Sequence, residues 1–322
     1  MVGIAANVVM VPIAPAIIGL AVLSIAASCL HLGWLVVIVN RLNVWVACVL
    51  TMFAQWFSSV PGATLNTGGW REPVGAGDAG MRIDVLGSRG DGAALLELRA
   101  GRGTPPIRWL VDTGSPQTYR GQLLPLLRNR GINRIDAVVL THGDVGHIGG
   151  AVSAIHQFRP ELIVESTVKN RAPAYREIRE FVERRGIRLL PVDRGARLRV
   201  GDAVVRVLHP AGDAPGRLAD DRALVLKIEY AGYSVLLTSD SGFDTEQELL
   251  GQGADLRADV WIRGQHSESP SGQSAFVAAV SPAAVLSTHA EFPESERIPE
   301  TLRAALRNAG VRLYEVGPSG MV

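Results

Sequence analysis

The sequence predicts an α/β protein in which a two-sheet sandwich flanked by helices is preceded by one or two transmembrane helices. Three observations lead to this fold class. The first forty residues contain no Asp, Glu, Lys or Arg. From about residue 81, short strand-like runs alternate with stretches of helical periodicity. Between these regions, residues 61–80 are rich in glycine and turn formers, which is typical of a linker.

The apolar N-terminus is long enough to cross a bilayer, because about 20 mainly apolar residues suffice. Pro12 and Pro15 are expected to interrupt a helix near its start, which places a first span at 16–39 or somewhat earlier. A second apolar stretch, 44–60, is marginal in length and either spans the membrane or lies flat in its interface. We therefore assign residues 1–60 to a membrane segment of one or two helices.

A cleaved signal peptide is disfavoured, because the region is too long and lacks a basic start. The orientation stays open, since Arg41 is the only charged residue before Arg71. Residues 61–80 then form the linker, and 81–322 form the α/β domain.

Strand-like and helical patterns follow one another along this domain. Runs of apolar residues bounded by turn formers predict strands at 81–85, 93–98, 107–111, 137–140, 162–164, 188–192, 197–208, 223–230, 234–238, 260–262, 284–286 and 311–316. Helical periodicity fits 123–130, 151–157 and 175–185. Two sheets with interleaved helices accommodate this number of strands.

Composition restricts the function only weakly. The formal net charge is +1, so contact with a nucleic acid or a membrane surface would need a local patch of charge. The two cysteines, Cys29 and Cys48, lie in apolar segments and indicate no disulfide framework.

Residues 141–150, called the metal loop below, carry the strongest chemical signal. They follow the apolar run 135–140 and contain His142, Asp144 and His147 within six positions. Imidazole nitrogen and carboxylate oxygen are ligands that suit a divalent cation, so the loop predicts a metal site. Gly146 stands where a further acidic ligand is expected.

Three more predicted strands end in residues suited to such a site. Asp112 follows the first of them, Asp240 the second and His266 the third. Ligands fixed at strand ends can leave an open coordination position for water, as a metallohydrolase requires. His209 and His289, by contrast, are interpreted as ordinary core or surface histidines.

The order Asp-Thr-Gly, His-x-Asp-x-x-His-x-Gly-Gly, Thr-x-Asp and His-Ser resembles the metallo-β-lactamase superfamily. The segment 124–137 before the metal loop and the Gly90-Asp91 turn narrow the resemblance to the C-terminal domain of ComEC-type DNA-uptake channel proteins. The resemblance is strongest over 81–290 and implies a four-layer αββα sandwich. The preceding apolar segments resemble the tail of that family's membrane domain.

The resemblance also implies roles for particular residues. His142 and Asp144 would bind one metal ion, His147 and His266 a second, and Asp240 would bridge or complete both. Asp144 and Asp240 would then be the catalytic carboxylates, and Asp112 would support the metal loop through hydrogen bonds.

The cofactor implied is zinc or manganese, as one or two ions, and the reaction is phosphodiester hydrolysis. The implied setting is the bacterial inner membrane, with DNA, the membrane and other competence-channel components as partners. The side of the membrane that the domain faces is left open.

The chain departs from the family pattern at three places. Gly146 replaces an aspartate, Gln265 replaces one of two adjacent histidines, and a late histidine is missing unless His289 or Glu296 substitutes for it. A single-metal site formed by His142, Asp144 and Asp240 therefore remains, and whether it is active is left open. At most two membrane helices precede the domain, so the chain is expected to be a terminal fragment of a channel, a separately encoded tail, or the product of a gene whose start was assigned too late.

Two other functions stay open. One is a scaffold that binds DNA or a partner without hydrolysis, and the other is hydrolysis of a small ester or lactam. Arginines near the predicted helix 175–185 could form a basic face, but their interleaving with glutamates favours a solvated helix. These arginines are Arg171, Arg176, Arg179, Arg184, Arg185 and Arg188.

Overall fold

A computed structural model describes residues 2–59, 80–88, 91–99, 105–168, 170–212, 218–289, 294 and 297–316. Nearly all of the predicted linker 61–80 lies outside the described residues, as do Gly90 and Glu296. The chain divides into two compact units, Met1–Thr67 and Gly68–Val322.

The first unit contains two long helices, α1 (Val2–Cys29) and α2 (Gly33–Ser59). The break between them falls inside the predicted span 16–39, so that placement was wrong. The chain turns because His31 adopts a left-handed backbone with φ of 58° and donates its N–H to Ser28, which ends α1. Helix α1 also runs unbroken through Pro12 and Pro15, where an interruption was predicted.

Helix α2 is long and apolar enough to cross a bilayer. Its segment 33–53 has 21 residues, and a rise of 1.5 Å per residue makes it about 30 Å long, the thickness of the hydrocarbon layer. The apolar segment 15–29 of α1 is shorter. By length and composition, one helix of the described residues therefore qualifies as a span.

Among its described residues, the second unit contains two sheets, and the first has six strands in sequential order. They are β1 (Gly80–Ser88), β2 (Asp91–Arg99), β3 (Ile107–Val111), β4 (Ala137–Leu140), β5 (Leu162–Ser166) and β6 (Arg188–Val192). Strands β3 to β6 are parallel. The loops that follow β3 and β4 therefore meet at one edge of the sheet.

The second sheet has seven strands in the order β13-β12-β11-β10-β9-β8-β7. These strands are β7 (Arg197–Val200), β8 (Ala203–His209), β9 (Val225–Tyr230), β10 (Tyr233–Ser239), β11 (Val260–Arg263), β12 (Ala284–Thr288) and β13 (Arg312–Val316). Strands β10 to β13 are parallel. The loops after β10 and β11 consequently lie side by side.

Helices cover the outer face of each sheet. On the first sheet lie α3 (Pro116–Thr118), a π-helical turn (Tyr119–Leu123), α4 (Leu124–Asn129), α5 (Val145–Ile148), α6 (Ala151–Phe158) and α7 (Pro173–Arg185). On the second lie α8 (Phe243–Gly251), α9 (Ser274–Val280) and α10 (Glu300–Asn308). The predicted αββα sandwich is confirmed.

Three apolar cores hold these layers together. The central core packs the facing sides of the two sheets, for example Val139 of β4 with Leu226 and Leu237. One outer core packs Ile155 and Val182 of the helices on the first sheet, and another packs the helices on the second. Burial of apolar area on both faces of each sheet explains why so many strands read as continuous apolar runs.

Two details differ from the sequence prediction. The single strand predicted at 197–208 is a hairpin of β7 and β8, because Gly201 turns the chain with φ of 60°. Helices α8, α9 and α10 were not assigned from the sequence. They are nine residues long or shorter, so few turns are available to show a period of 3.6 residues.

Candidate metal centre

Asp112 joins the end of β3 to the metal loop. Its Oδ1 accepts a hydrogen bond from the Thr141 backbone N–H at 2.8 Å, and its Oδ2 accepts from Thr141 Oγ1 at 2.6 Å. Its φ of 57° is unusual for a residue other than glycine. A residue held in such a conformation often serves a functional site, and here it fixes the start of the loop.

His147 is held between two carboxylates. Its Nδ1 lies 3.1 Å from Asp112 Oδ2, and its Nε2 lies 2.8 Å from Asp240 Oδ2, although that second contact lacks hydrogen-bond alignment. Burial alone would lower the pKa of His147, but the charges of Asp240 and Asp112 outweigh it and raise the pKa well above its usual value. A carboxylate behind a histidine is the arrangement that orients imidazole toward a metal.

His142 is buried beside His147, and their ring centroids are 4.3 Å apart. Its Nδ1 lies 2.9 Å from Thr141 Oγ1, whereas its Nε2 has no hydrogen-bond partner. Burial, together with the neighbouring charge of His147, lowers the pKa of His142. The unpartnered nitrogen lies 3.7 Å from Asp220 Oδ1 and 3.8 Å from Asp240 Oδ2.

Asp240 follows β10 and is buried, with its Oδ1 unpartnered. Gly264 on the adjacent loop makes room for it, because a Cβ at that position would lie 1.7 Å from Asp240 Oδ1. Burial acts to raise the pKa of Asp240, but His147 and His142 prevail and lower it.

Asp144 lies at the exposed rim of the site. It caps α5, and its Oδ1 accepts from the Gly146 N–H at 3.3 Å. Ligand atoms of Asp144, His142 and Asp220 all lie within 4.8 Å of one another, as do those of Asp112, His142 and His147.

Asp220 was missed by the sequence prediction. It begins a short 3₁₀ turn before β9, and its Oδ2 accepts from the backbone N–H and the Oγ of Ser267 at 3.1 and 2.9 Å. The signal that could have indicated it is the pair Asp220-Asp221 directly before an apolar strand. Its position beside His142 depends on the packing of the two sheets.

The donor set fits a divalent cation. Three polar atoms of the buried cluster have no hydrogen-bond partner, namely His142 Nε2, His147 Nε2 and Asp240 Oδ1. Unsatisfied polar atoms are rare in protein interiors because each one is costly. Nitrogen and carboxylate oxygen together suit zinc or manganese.

His266 is not brought into this cluster in the predicted way. Its Nδ1 accepts hydrogen bonds from the backbone N–H groups of Glu268 and Ser269, both at 3.0 Å. Its Nε2 therefore carries the proton and donates to Asp221 Oδ1 at 3.1 Å. Both nitrogens are engaged, so its assignment as a metal ligand stays a prediction that these contacts do not favour.

The structure shows which groups lie next to the residues at the three departures from the family pattern. A Cβ on Gly146 would lie 3.0 Å from Asp91 Oδ1, so a carboxylate from β2 already borders the position of the missing aspartate. Gln265 is buried and accepts from Arg263 Nη2 at 2.8 Å. His289 lies 3.4 Å from Glu315, and Glu296 is outside the described residues.

A cavity of about 1060 Å³ lies against the site. His142 and Thr141 line it on the side of the metal loop, and Asn170, Arg171 and Arg176 line it at the start of α7. The metal loop therefore borders a space large enough for an extended substrate.

Comparison with known families gives one match that covers more than half of the chain. The sequence profile of the Metallo-beta-lactamase superfamily matches residues 108–289. That range begins in β3 and includes the metal loop, Asp220, Asp240 and His266.

Two competence proteins are among the relatives. ComE operon protein 3 of Bacillus subtilis (strain 168) is 28% identical over 190 residues, which cover 54% of this chain and 24% of that protein. Competence protein ComA of Neisseria gonorrhoeae is 24% identical over 243 residues, which cover 72% of this chain and 30% of that protein. The chain thus spans less than a third of the length of either relative.

Among solved structures, the metallo-beta-lactamase fold protein YhfI from Bacillus subtilis is similar, with a TM-score of 0.51 and 15% sequence identity. The similarity covers 76% of this chain and 99% of that one. At this level of identity, the comparison shows the fold alone.

Proposed function

Because the chain belongs to the metallo-beta-lactamase superfamily and is related to competence proteins, we propose that its second unit is a metal-dependent hydrolase of phosphodiester bonds. The observation that carries the proposal is the buried His142 Nε2, which has no hydrogen-bond partner and lies 3.7 Å from Asp220 Oδ1 and 3.8 Å from Asp240 Oδ2. The substrate proposed is a nucleic acid strand.

A single divalent ion is proposed, held by His142, Asp220 and Asp240 with Asp144 at the rim. When bound, such an ion supplies Lewis acidity, which polarises a phosphoryl oxygen and makes a water molecule more acidic. Gly146 contributes no donor atom, and both nitrogens of His266 are engaged. These two facts favour one ion over two.

The residues of the chain have distinct roles in this proposal. Asp112 fixes the tautomer of His147 through Nδ1 and holds Thr141 in place. Asp144 is the exposed carboxylate of the site, so it is the group placed to accept a proton from water at its Oδ2. The buried groups exclude bulk water and thereby strengthen the electrostatic interactions at the centre.

The proposed setting is the bacterial inner membrane, with α2 as a membrane anchor. The apolar length of α2 and the relation to competence proteins support it. DNA and other components of a competence channel are the proposed partners.

The test is a metal titration of the full chain in detergent micelles, by calorimetry, followed by cleavage of single-stranded DNA with manganese or zinc. We expect binding at micromolar metal concentration and cleavage that a chelator abolishes. Asp220→Asn and Asp240→Asn are each expected to weaken metal binding by at least about 10-fold, because even residues behind the ligands contribute 10 to 100-fold. Asp202→Asn, in an exposed turn between β7 and β8, is the matched control. No metal uptake at micromolar concentration would rule out the enzymatic proposal.

A second candidate function is a scaffold that binds DNA without cleaving it. It is favoured by the same two facts, the loss of a donor at Gly146 and the engagement of His266 by other groups. If the unit is such a scaffold, we expect its affinity for DNA to depend on salt concentration and to stay unchanged when metal ions are chelated. We also expect no cleavage of DNA with any metal.

A further inference from the structure

The arginines of α7 and the segment before it divide into two groups. Arg179 pairs with Glu165 at 3.2 Å, and Arg184 lies 3.8 Å from Glu180 one turn away. Arg171 and Arg176 are exposed and, among the described residues, have no carboxylate partner. The interleaving with glutamates therefore neutralises only part of this helix.

The two unpaired guanidinium groups line the same cavity as His142. They lie at the N-terminal end of α7, where the helix dipole adds partial positive charge. Thr141 of the metal loop lines this cavity as well. A positive rim and the metal loop thus share one space.

Asn170 connects this rim to the metal loop. Its Oδ1 accepts from the Ala172 N–H at 2.9 Å, which shapes the start of α7. Its amide occupies the side-chain space of Gly143, where a Cβ would lie 1.6 Å from Asn170 Nδ2. Because Gly143 has no side chain, the metal loop and the segment that contains Asn170 can pack closely.

We propose that Arg171 and Arg176 form a phosphate-binding subsite that positions a nucleic acid strand in the cavity beside His142. The inference rests on the proposed function, since it names the contacts by which the strand would reach the centre. Arginine suits this role because its planar guanidinium binds phosphate with two hydrogen bonds. The cavity, at about 1060 Å³, is large enough for more than one nucleotide.

The test measures binding alone, with no metal present. The full chain in detergent micelles is titrated with fluorescein-labelled oligothymidylate in EDTA, and anisotropy is recorded over a range of salt concentrations. The variant Arg171→Gln/Arg176→Gln is compared with Arg184→Gln/Arg188→Gln, which removes the same charge outside the lining of the cavity. Unlabelled thymidine monophosphate is added as a competitor.

We expect the cavity variant to bind the oligonucleotide about tenfold more weakly at moderate salt. Loss of two phosphate contacts is also expected to reduce the slope of log affinity against log salt by about 1.4, at roughly 0.7 per contact for a single strand. The control variant is expected to change affinity less than twofold. Millimolar thymidine monophosphate is expected to compete poorly, since one phosphate occupies only part of the subsite.

Equal losses in the two variants would overturn the inference, because they would show only a general charge effect. Efficient competition by thymidine monophosphate would also overturn it, in favour of a mononucleotide site. The proposed function can fail separately. Oligonucleotide binding that depends on Arg171 and Arg176, without metal uptake, would support the phosphate-binding subsite and contradict the hydrolase proposal. Metal-dependent cleavage that the two substitutions leave unchanged would support the hydrolase proposal and contradict the subsite.

Discussion

The carboxylate of Asp112 holds the metal loop in its conformation. Asp112 uses one oxygen to hold the Thr141 backbone and the other to bind the Thr141 hydroxyl and the ring of His147. Removing Asp112 would therefore free both the backbone of the metal loop and the ring of His147. This explains why Asp112, although not proposed as a ligand, is buried so close to the centre.

Gly146 is the residue whose replacement is most informative. Gly146→Asp is expected to raise the affinity for manganese or zinc about 10-fold or more, because it adds a ligand that the loop lacks. The new side chain would also lie near Asp91 and Asp144. Like charges at this distance are expected to destabilise the metal-free protein by about 1 kcal/mol. Calorimetric metal titration and thermal unfolding of the full chain measure the two effects.

The control for this substitution is Gly146→Asn, which has the same size without the charge. If Gly146→Asn and Gly146→Asp change metal affinity equally, the added ligand is not responsible. If neither gains affinity, the position no longer faces a functional metal site.

At the scale of elements, an ion network stabilises strand β2. Glu97 is buried and receives hydrogen bonds from Arg99 and Arg108, while Arg130 from the end of α4 lies 3.4 Å away. Burial by itself would raise the pKa of Glu97, but hydrogen bonds from Arg108 and Arg99 outweigh it and lower the pKa from its ordinary value of 4.5. The network joins β2 to β3 and to the helix that covers them.

The lowered pKa of Glu97 makes stability depend on pH in a known direction. A carboxyl group with a lowered folded-state pKa stabilises the fold above its unfolded pKa, here about 4.5, and that contribution is lost as pH falls through the folded value. Glu97→Gln is therefore expected to reduce the free energy of unfolding at pH 7 by about 3 kcal/mol. It is also expected to flatten the decline in stability below pH 4.5.

Urea denaturation of the full chain at a series of pH values, followed by tryptophan fluorescence, measures this dependence. Glu161→Gln is the matched control, because Glu161 is exposed and its pair with Arg134 is solvated. An unchanged slope with pH in Glu97→Gln would show that other carboxylates govern acid unfolding.

At the scale of the whole molecule, an apolar unit precedes a hydrolase-like unit in one chain. We expect the full chain to stay with the membrane fraction during alkaline carbonate extraction, since α2 can span the hydrocarbon layer. Leu42→Asp, near the middle of the span, is expected to increase the released fraction, because a central Asp costs about 2.5–3.5 kcal/mol on insertion.

Tyr233→Asp adds the same charge in an exposed position of the second unit and serves as the control. Release of the unsubstituted chain by carbonate would contradict membrane anchoring. Equal release of the two variants would show that the added charge does not cause release by destabilising the insertion of α2.

Local sequence patterns were enough to predict the α/β fold class and most of the strands, because apolar runs bounded by turn residues indicate buried strands directly. It also indicated the metal loop, since His142, Asp144 and His147 lie within six positions and their spacing is local. Asp112 and Asp240 were identified in the same way, as acidic residues at the ends of apolar strands.

The contacts that these residues make with other parts of the chain depend on the tertiary structure and could not be predicted from local patterns. Asp220 lies next to His142 because the two sheets pack face to face, and 78 positions of chain separation hide that contact from any local pattern. The same packing places His266 within hydrogen-bond distance of Asp221. It also places Arg171 and Arg176 at the rim of the cavity. Local spacing reveals ligands on one loop, whereas contacts between loops of different strands depend on how the whole chain folds.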